Sequence, residues 1–138
     1  GKDIGDRIFL GTDGMHSDML RSAQYAFFAG QQYDPINFDV VYRRFRNVHR
    51  YLAQNQFGGD GPNNLVVLDY DSPTAFSNNN FLGHFLFGLN ATHVRDVISN
   101  GKLVVKDRSL QTVDESEILG FTREQSLRLW SRMKKIRK

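Results

Sequence analysis

Arg7-Ile8-Phe9-Leu10-Gly11-Thr12-Asp13-Gly14-Met15-His16-Ser17-Asp18 is the stretch on which the reading of the fold turns. Ile8-Phe9-Leu10 is a short apolar run of the kind that makes a buried strand. It stops at Gly11. Thr12, Asp13, His16, Ser17 and Asp18 then fall in a loop, and a helical pattern begins at about Ser17. A strand ending near a carboxylate, followed by a loop and a helix, is one βα unit. In α/β folds the C-terminal ends of strands carry catalytic and ligand groups. Taken alone, an Asp among glycines ahead of a helix is also a good turn or capping residue. The rest of the chain has to decide between the two.

The chain has 138 residues, 40% apolar and 24% charged. That suits one globular domain and argues against wholesale disorder. It contains no cysteine, which excludes a disulfide framework and thiolate metal ligation. No apolar run approaches the ~18 residues of a membrane span, and the polar start Gly1-Lys2-Asp3-Ile4-Gly5-Asp6 is unlike a signal peptide. The first residue is Gly rather than Met, so a trimmed chain or a segment of a longer one is expected. The net charge of +3 owes much to Arg43, Arg44, Arg46 and Arg50 and to the tail Lys134, Lys135, Arg137, Lys138. No aromatic or Gly-rich nucleic-acid motif is interleaved with these, so solvated faces are expected rather than a nucleic-acid surface.

Downstream, Ser17 is the expected N-cap of a first helix running to about Ala29, with Gly30 ending it. Its apolar face combines Met19, Leu20, Ala23, Ala26, Phe27 and Phe28. A second helix, capped by Asn37, carries a stripe of Val41, Phe45, Val48 and Leu52 at helical spacing, with the arginines mostly off it. His49 beside the stripe reads as a packing residue. Gln54 to Asn64 is rich in Gly and Asn and predicts a linker. Leu65-Val66-Val67-Leu68-Asp69-Tyr70 predicts a buried strand, and Phe81 to Leu89 a short apolar helix containing His84. Asn100-Gly101 sits between His93–Ser99 and Lys102–Lys106 and predicts a type I′ hairpin, with residues 105–110 carrying its second strand onward. Asp114, Glu115 and Glu117 open a last helix with Ile118, Leu119, Thr122, Leu129, Trp130 and Met133 on its inner side and Gly120 as a candidate break. One α/β-type strand followed by strands of another sheet is an odd order for a complete domain.

Several motifs in this order resemble the C-terminal third of the amidohydrolase superfamily. They are Leu10-Gly11-Thr12-Asp13-Gly14, Asp18-Met19, Leu65 to Asp69 and Val94 to Asp107. The likeness is nearest to the cytosine deaminase, chlorohydrolase and guanine deaminase branch. Thr12-Asp13-Gly14-Met15-His16-Ser17-Asp18-Met19, Tyr42 to Tyr51 and Gly83-His84-Phe85-Leu86-Phe87-Gly88 resemble the aminohydrolases associated with selenium metabolism.

The resemblance implies an α/β fragment. Residues 1–57 would be the last strand and helices of a metal-dependent hydrolase (β/α)8 barrel, 58–64 a linker, 65–113 the C-terminal strands of a small β-sandwich with one short helix, and 114–138 a closing helix. It implies hydrolysis of a C–N bond in an aminated heterocycle or similar small molecule by a metal-activated water, with zinc as the divalent metal and iron as the alternative. Asp13 would be metal ligand and proton carrier. His16 and Ser17 would line the substrate pocket. The family's His-x-His pair, its further metal histidines and its acid/base glutamate lie upstream of this segment. The four histidines His16, His49, His84 and His93 form no such pair, so the isolated chain is expected to be inactive and without bound metal. The partner expected is the missing N-terminal part of the same protein, with neither nucleic acid nor membrane. A homo-oligomer is also expected, because barrel faces would otherwise stand uncovered. A cytoplasmic location is expected, since a chain without cysteine is compatible with a reducing cytosol. The alternative is a free-standing α+β interaction module without catalysis, which predicts no exposed apolar patch.

Overall fold

In the computed structural model, residues 7–33, 35–58 and 61–136 are described. Asp34 ahead of the second helix, Gly59 and Asp60 of the expected linker, the polar start Gly1–Asp6 and the tail residues Arg137 and Lys138 lie outside them. The chain forms α1 (Met19–Tyr33), α2 (Phe38–Gln54), β1 (Leu65–Leu68), α3 (Phe81–Gly83) running into a π-helical turn (His84–Gly88), a 3-10 turn (Ala91–His93), β2 (Val94–Ser99), β3 (Lys102–Lys106), β4 (Ser109–Leu110) and α4 (Glu115–Ile136). Among the described residues, β1 to β4 make one antiparallel sheet in the order β1-β2-β3-β4.

Helix α1 starts later than the sequence pattern predicts. Asp18, not Ser17, is its cap: the Asp18 Oδ1 accepts from the backbone N–H of Leu20 (3.0 Å) and Arg21 (3.1 Å). Ser17 is held at φ 52°, outside the helix. Gly30 does not end the helix, which continues to Tyr33; its bare Cα instead lets the Ile36 side chain approach. Asn37 caps α2 as expected, its Oδ1 accepting from Val40 N at 2.9 Å. The core lies between these helices and the 81–89 segment, where Ala23, Val41, Phe85 and Leu86 are buried with Ile36. Edge-to-face ring pairs fill the gaps, Phe27–Phe38 at 5.2 Å and Tyr42–Phe85 at 5.1 Å. Such pairs contribute beyond their buried area. Phe28, expected on the buried face of α1, is more than half exposed.

Ile8–Leu10 joins no β-ladder, contrary to its apolar pattern. A strand needs neighbours to satisfy its N–H and C=O groups. Here side chains take that role. The buried Asn47 of α2 donates to the Ile8 carbonyl at 3.0 Å, and the buried Ser22 of α1 donates to the Gly11 carbonyl at 3.1 Å.

The sheet follows the sequence in part. Asn100 and Gly101 have φ of 50° and 74°, the positive pair that a type I′ turn requires. The strand after it does not run on through residue 110. It reverses at Asp107 and Arg108, both with positive φ, and β4 pairs back on β3. The predicted buried strand at 65–70 is an edge strand, β1, with Leu65 and Val66 exposed. Helix α4 runs unbroken through Gly120, and Ile118, Leu119, Leu129, Trp130 and Met133 of its expected inner side are exposed. No helix among the described residues is long and apolar enough to cross a membrane.

Candidate functional site: the Asp13 loop

The loop leading into α1 is built by local hydrogen bonds. Met15 N donates to the Thr12 carbonyl at 3.2 Å, closing a turn over Asp13 and Gly14. The Thr12 hydroxyl donates to the Asp13 carbonyl at 3.3 Å. Asp13 sits in the left-handed region at φ 49°. Asp tolerates this better than most residues because its short polar side chain bonds locally. The turn leaves the Asp13 carboxylate exposed, at the mouth of the loop rather than in the core.

His16 lies half-buried beside the start of α1. Its Nδ1 accepts from Asp18 N at 3.1 Å, which places the proton of the neutral ring on Nε2. Its ring edge meets Tyr25 with centroids 6.1 Å apart. The Arg21 guanidinium donates twice to the Tyr25 hydroxyl, at 3.1 and 2.9 Å. Ser17 is exposed. Asp13, His16 and Ser17 thus share one short loop, with the cap Asp18 at the start of α1 and the Arg21–Tyr25 pair on the helix behind them.

The arrangement offers one free-standing carboxylate and several hydrogen-bond donors. A hydrolytic metal site takes three protein ligands plus water. Among the described residues no three His, Cys, Asp or Glu side chains gather where they could hold a metal ion. The described residues therefore do not by themselves fit a metal centre, and Asp13 could supply one ligand at most.

A second polar cluster lies elsewhere, and the sequence pattern did not reveal it. His84, which the sequence places only within a short apolar helix, has both ring nitrogens engaged. Its Nδ1 is 2.8 Å from the Tyr70 hydroxyl, and its Nε2 is 3.0 Å from Thr74 Oγ1 and 3.4 Å from Ser72 Oγ. Tyr70 reaches it because Gly88 has no Cβ; one there would fall on the Tyr70 hydroxyl. The signal available in sequence was a turn rich in hydroxyls, but only folding brings it to the histidine. His49 and His84 are half-buried within helical segments, and His93 ends the 3-10 turn, its Nδ1 accepting from Asn90 N at 3.1 Å.

Comparison with known proteins bears on the Asp13 loop. The chain is similar to deaminases. It is 27% identical over 145 residues to a 5-methylthioadenosine/S-adenosylhomocysteine deaminase of Desulforamulus reducens, an alignment covering 92% of this chain and 32% of the relative. Enzymes of the same name from Thermoanaerobacter pseudethanolicus and Dictyoglomus thermophilum are each 26% identical, over 83% of this chain and 30% of the relative. The chain thus spans about a third of the length of these curated relatives. No protein-family profile matches it, and no solved structure does. The homologues' name agrees with the C–N hydrolysis expected from the sequence.

Proposed function

We propose that this chain is the C-terminal portion of an amidohydrolase-superfamily deaminase, of the cytosine deaminase and chlorohydrolase branch, acting on an aminated heterocycle. The observation that carries the reading is the similarity to deaminases along nearly the whole chain. Residues 1–57 form the end of a catalytic (β/α)8 barrel, 65–113 the last strands of a small sandwich and 114–138 a closing helix, with 58–64 as linker. The extensive exposed apolar surface of β1 and α4 supports this reading over a free-standing module, which would leave no such patch.

In the reaction, water adds to the ring carbon that bears the amino group, and ammonia leaves. The Asp13 carboxylate takes the proton of the attacking water and returns it to the leaving nitrogen. Its exposure at the loop mouth suits that task. His16 offers a fixed Nε2–H donor and Ser17 a hydroxyl for the substrate. The divalent metal, zinc or iron, that the superfamily resemblance implies needs its other ligands from residues beyond those described here.

The test is ammonia release from 5-methylthioadenosine and S-adenosylhomocysteine by the gene product that carries this chain, with a panel of aminated heterocycles alongside. Asp13→Asn should lower kcat by at least about 100-fold without unfolding the protein. Turnover of none of the panel would sink the deaminase reading. Full activity in Asp13→Asn would remove the role given to Asp13 while leaving the reaction class standing.

A further inference from the structure

We propose that Asn100 is a site of spontaneous deamidation, held in check by residues 61–64. Asn100-Gly101 is the one Asn-Gly pair in the sequence. The chemistry needs no reactant but water. The backbone nitrogen of Gly101 gives up its proton and attacks Cγ of Asn100. An N–Cγ bond forms, the Cγ–Nδ2 bond breaks and ammonia leaves. Water then opens the cyclic imide at either carbonyl. Opening at Cγ leaves aspartate. Opening at the main-chain carbonyl leaves isoaspartate, with the chain routed through the former side chain. Glycine after the asparagine favours ring closure, because no Cβ crowds the attacking nitrogen.

The first observation is access. Asn100 and Gly101 are both exposed at the tip of the β2–β3 hairpin. Among the described residues none bonds the Asn100 side-chain amide, whose Cγ is the atom attacked. The second observation is that the attacking nitrogen is occupied. Gly101 N donates to the Asn63 carbonyl at 2.9 Å, and the neighbouring Asn100 N donates to Asn64 Oδ1 at 2.7 Å. A carbonyl acceptor favours the protonated N–H over the anion that attacks. Ring closure must also swing the Gly101 nitrogen onto Cγ, which turns the 100–101 peptide and breaks its bond to Asn63.

The third observation is that the loop supplying both acceptors is itself fixed. Asn64 N donates to the Gly61 carbonyl at 3.1 Å, and the next residue, Leu65, pairs with Ile98 in the sheet. The turn, with φ of 50° at Asn100 and 74° at Gly101, is thus clamped from outside as well as by its own strands. Once the clamp opens, the change is one-way. Isoaspartate adds a carbon to the main chain at the first turn position, and a two-residue type I′ connection cannot absorb it without changing turn type or register. The site uses nothing from the Asp13 loop and stands apart from the deaminase reading.

The gene product carrying this chain is incubated at mildly alkaline pH, folded and in denaturant. The peptide containing Asn100 is followed by mass spectrometry, with isoaspartate scored separately. Deamidation should be slower in the folded protein by at least about 10-fold, since two hydrogen bonds must open first. Asn64→Ala should raise the folded rate by about 3- to 10-fold. Asn64→Asp keeps an oxygen acceptor for Asn100 N and should keep the parental rate. Amide exchange at Val97, inside β2, should stay as slow in Asn64→Ala as in the parent. A faster rate matched by an equal loss of protection at Val97 would assign the effect to unfolding and overturn the clamp. Equal rates in the folded and unfolded protein, or an unchanged rate in Asn64→Ala, would refute it as well. Aspartate without isoaspartate in the unfolded chain would mean direct hydrolysis of the side chain and would refute ring closure at Asn100.

Discussion

The two halves of the molecule solve burial differently. The helical half, α1 and α2 with the 81–89 segment, buries Ala23, Val41, Phe85, Leu86 and Leu89. No residue of β1 to β4 or of α4 is buried. Three helical segments can enclose side chains on several sides, while a single sheet has two faces and needs a second layer. The sheet is nevertheless well specified by its backbone. Asp69 N donates to the His93 carbonyl at 2.7 Å, and Gly101 N to the Asn63 carbonyl at 2.9 Å. Local hydrogen bonding and turn geometry can set a sheet's register without supplying it with a core.

The sharpest way to break the contrast is in the helical core. Leu86 is 1% exposed, so Leu86→Ala should cost about 2–5 kcal/mol, read by denaturant unfolding with m unchanged. Asn47→Ala should follow at about 1–3 kcal/mol. It removes a buried side chain that donates to the Ile8 carbonyl, and hydrogen exchange should rise in the Asp13 loop along with the global loss. Equal protection of that loop in the variant would show that Asn47 does not tether it.

On the sheet side the expected effects are smaller. The backbone N–H of Asp107 and the Arg95 guanidinium both donate to Asp96 and hold its carboxyl below the usual range, while the Arg95 guanidinium is pushed up by the same contact. A carboxyl lowered in the folded state stabilises fully above the pH at which the unfolded carboxyl titrates. That contribution fades as pH falls through the lower folded value. Asp96→Asn should therefore lower Tm modestly at neutral pH and shrink the gap to the parent in acid. A pH-independent gap would point to lost geometry rather than charge. Least of all, Val66→Thr on the open edge strand should move the stability of this chain by under about 0.5 kcal/mol. A loss of more than about 1 kcal/mol in the longer gene product would mean that a second layer covers β1 there.

Short-range chemistry was legible in the sequence wherever one residue type answers one backbone need. Asn37 caps α2, Asn100-Gly101 takes the positive φ of a hairpin turn, and Asp114 accepts from Glu117 N at 3.0 Å to start α4. Asp107-Arg108 was missed because Arg at positive φ is held by its neighbours, with Arg108 N donating to the Arg95 carbonyl at 2.8 Å, and not by its own preference. Of the site, the sequence indicated that Asp13, His16 and Ser17 share a loop. The Nδ1 contact that orients His16 and the tether from Asn47 could not be read there.

What the sequence determined by itself is therefore local: caps, turns, helical stripes and the motif series that links the chain to deaminases. Tertiary structure alone decided that the chain is tied at Ile8 by Asn47 and at Gly11 by Ser22, and that Ile8–Leu10 does not pair as a strand. It also decided that His84 is held between Tyr70 and Thr74, and that the apolar faces of β1 and α4 stand open. The physical reason is that an apolar pattern says which side chains favour burial, whereas burial itself depends on which other surfaces are present to cover them.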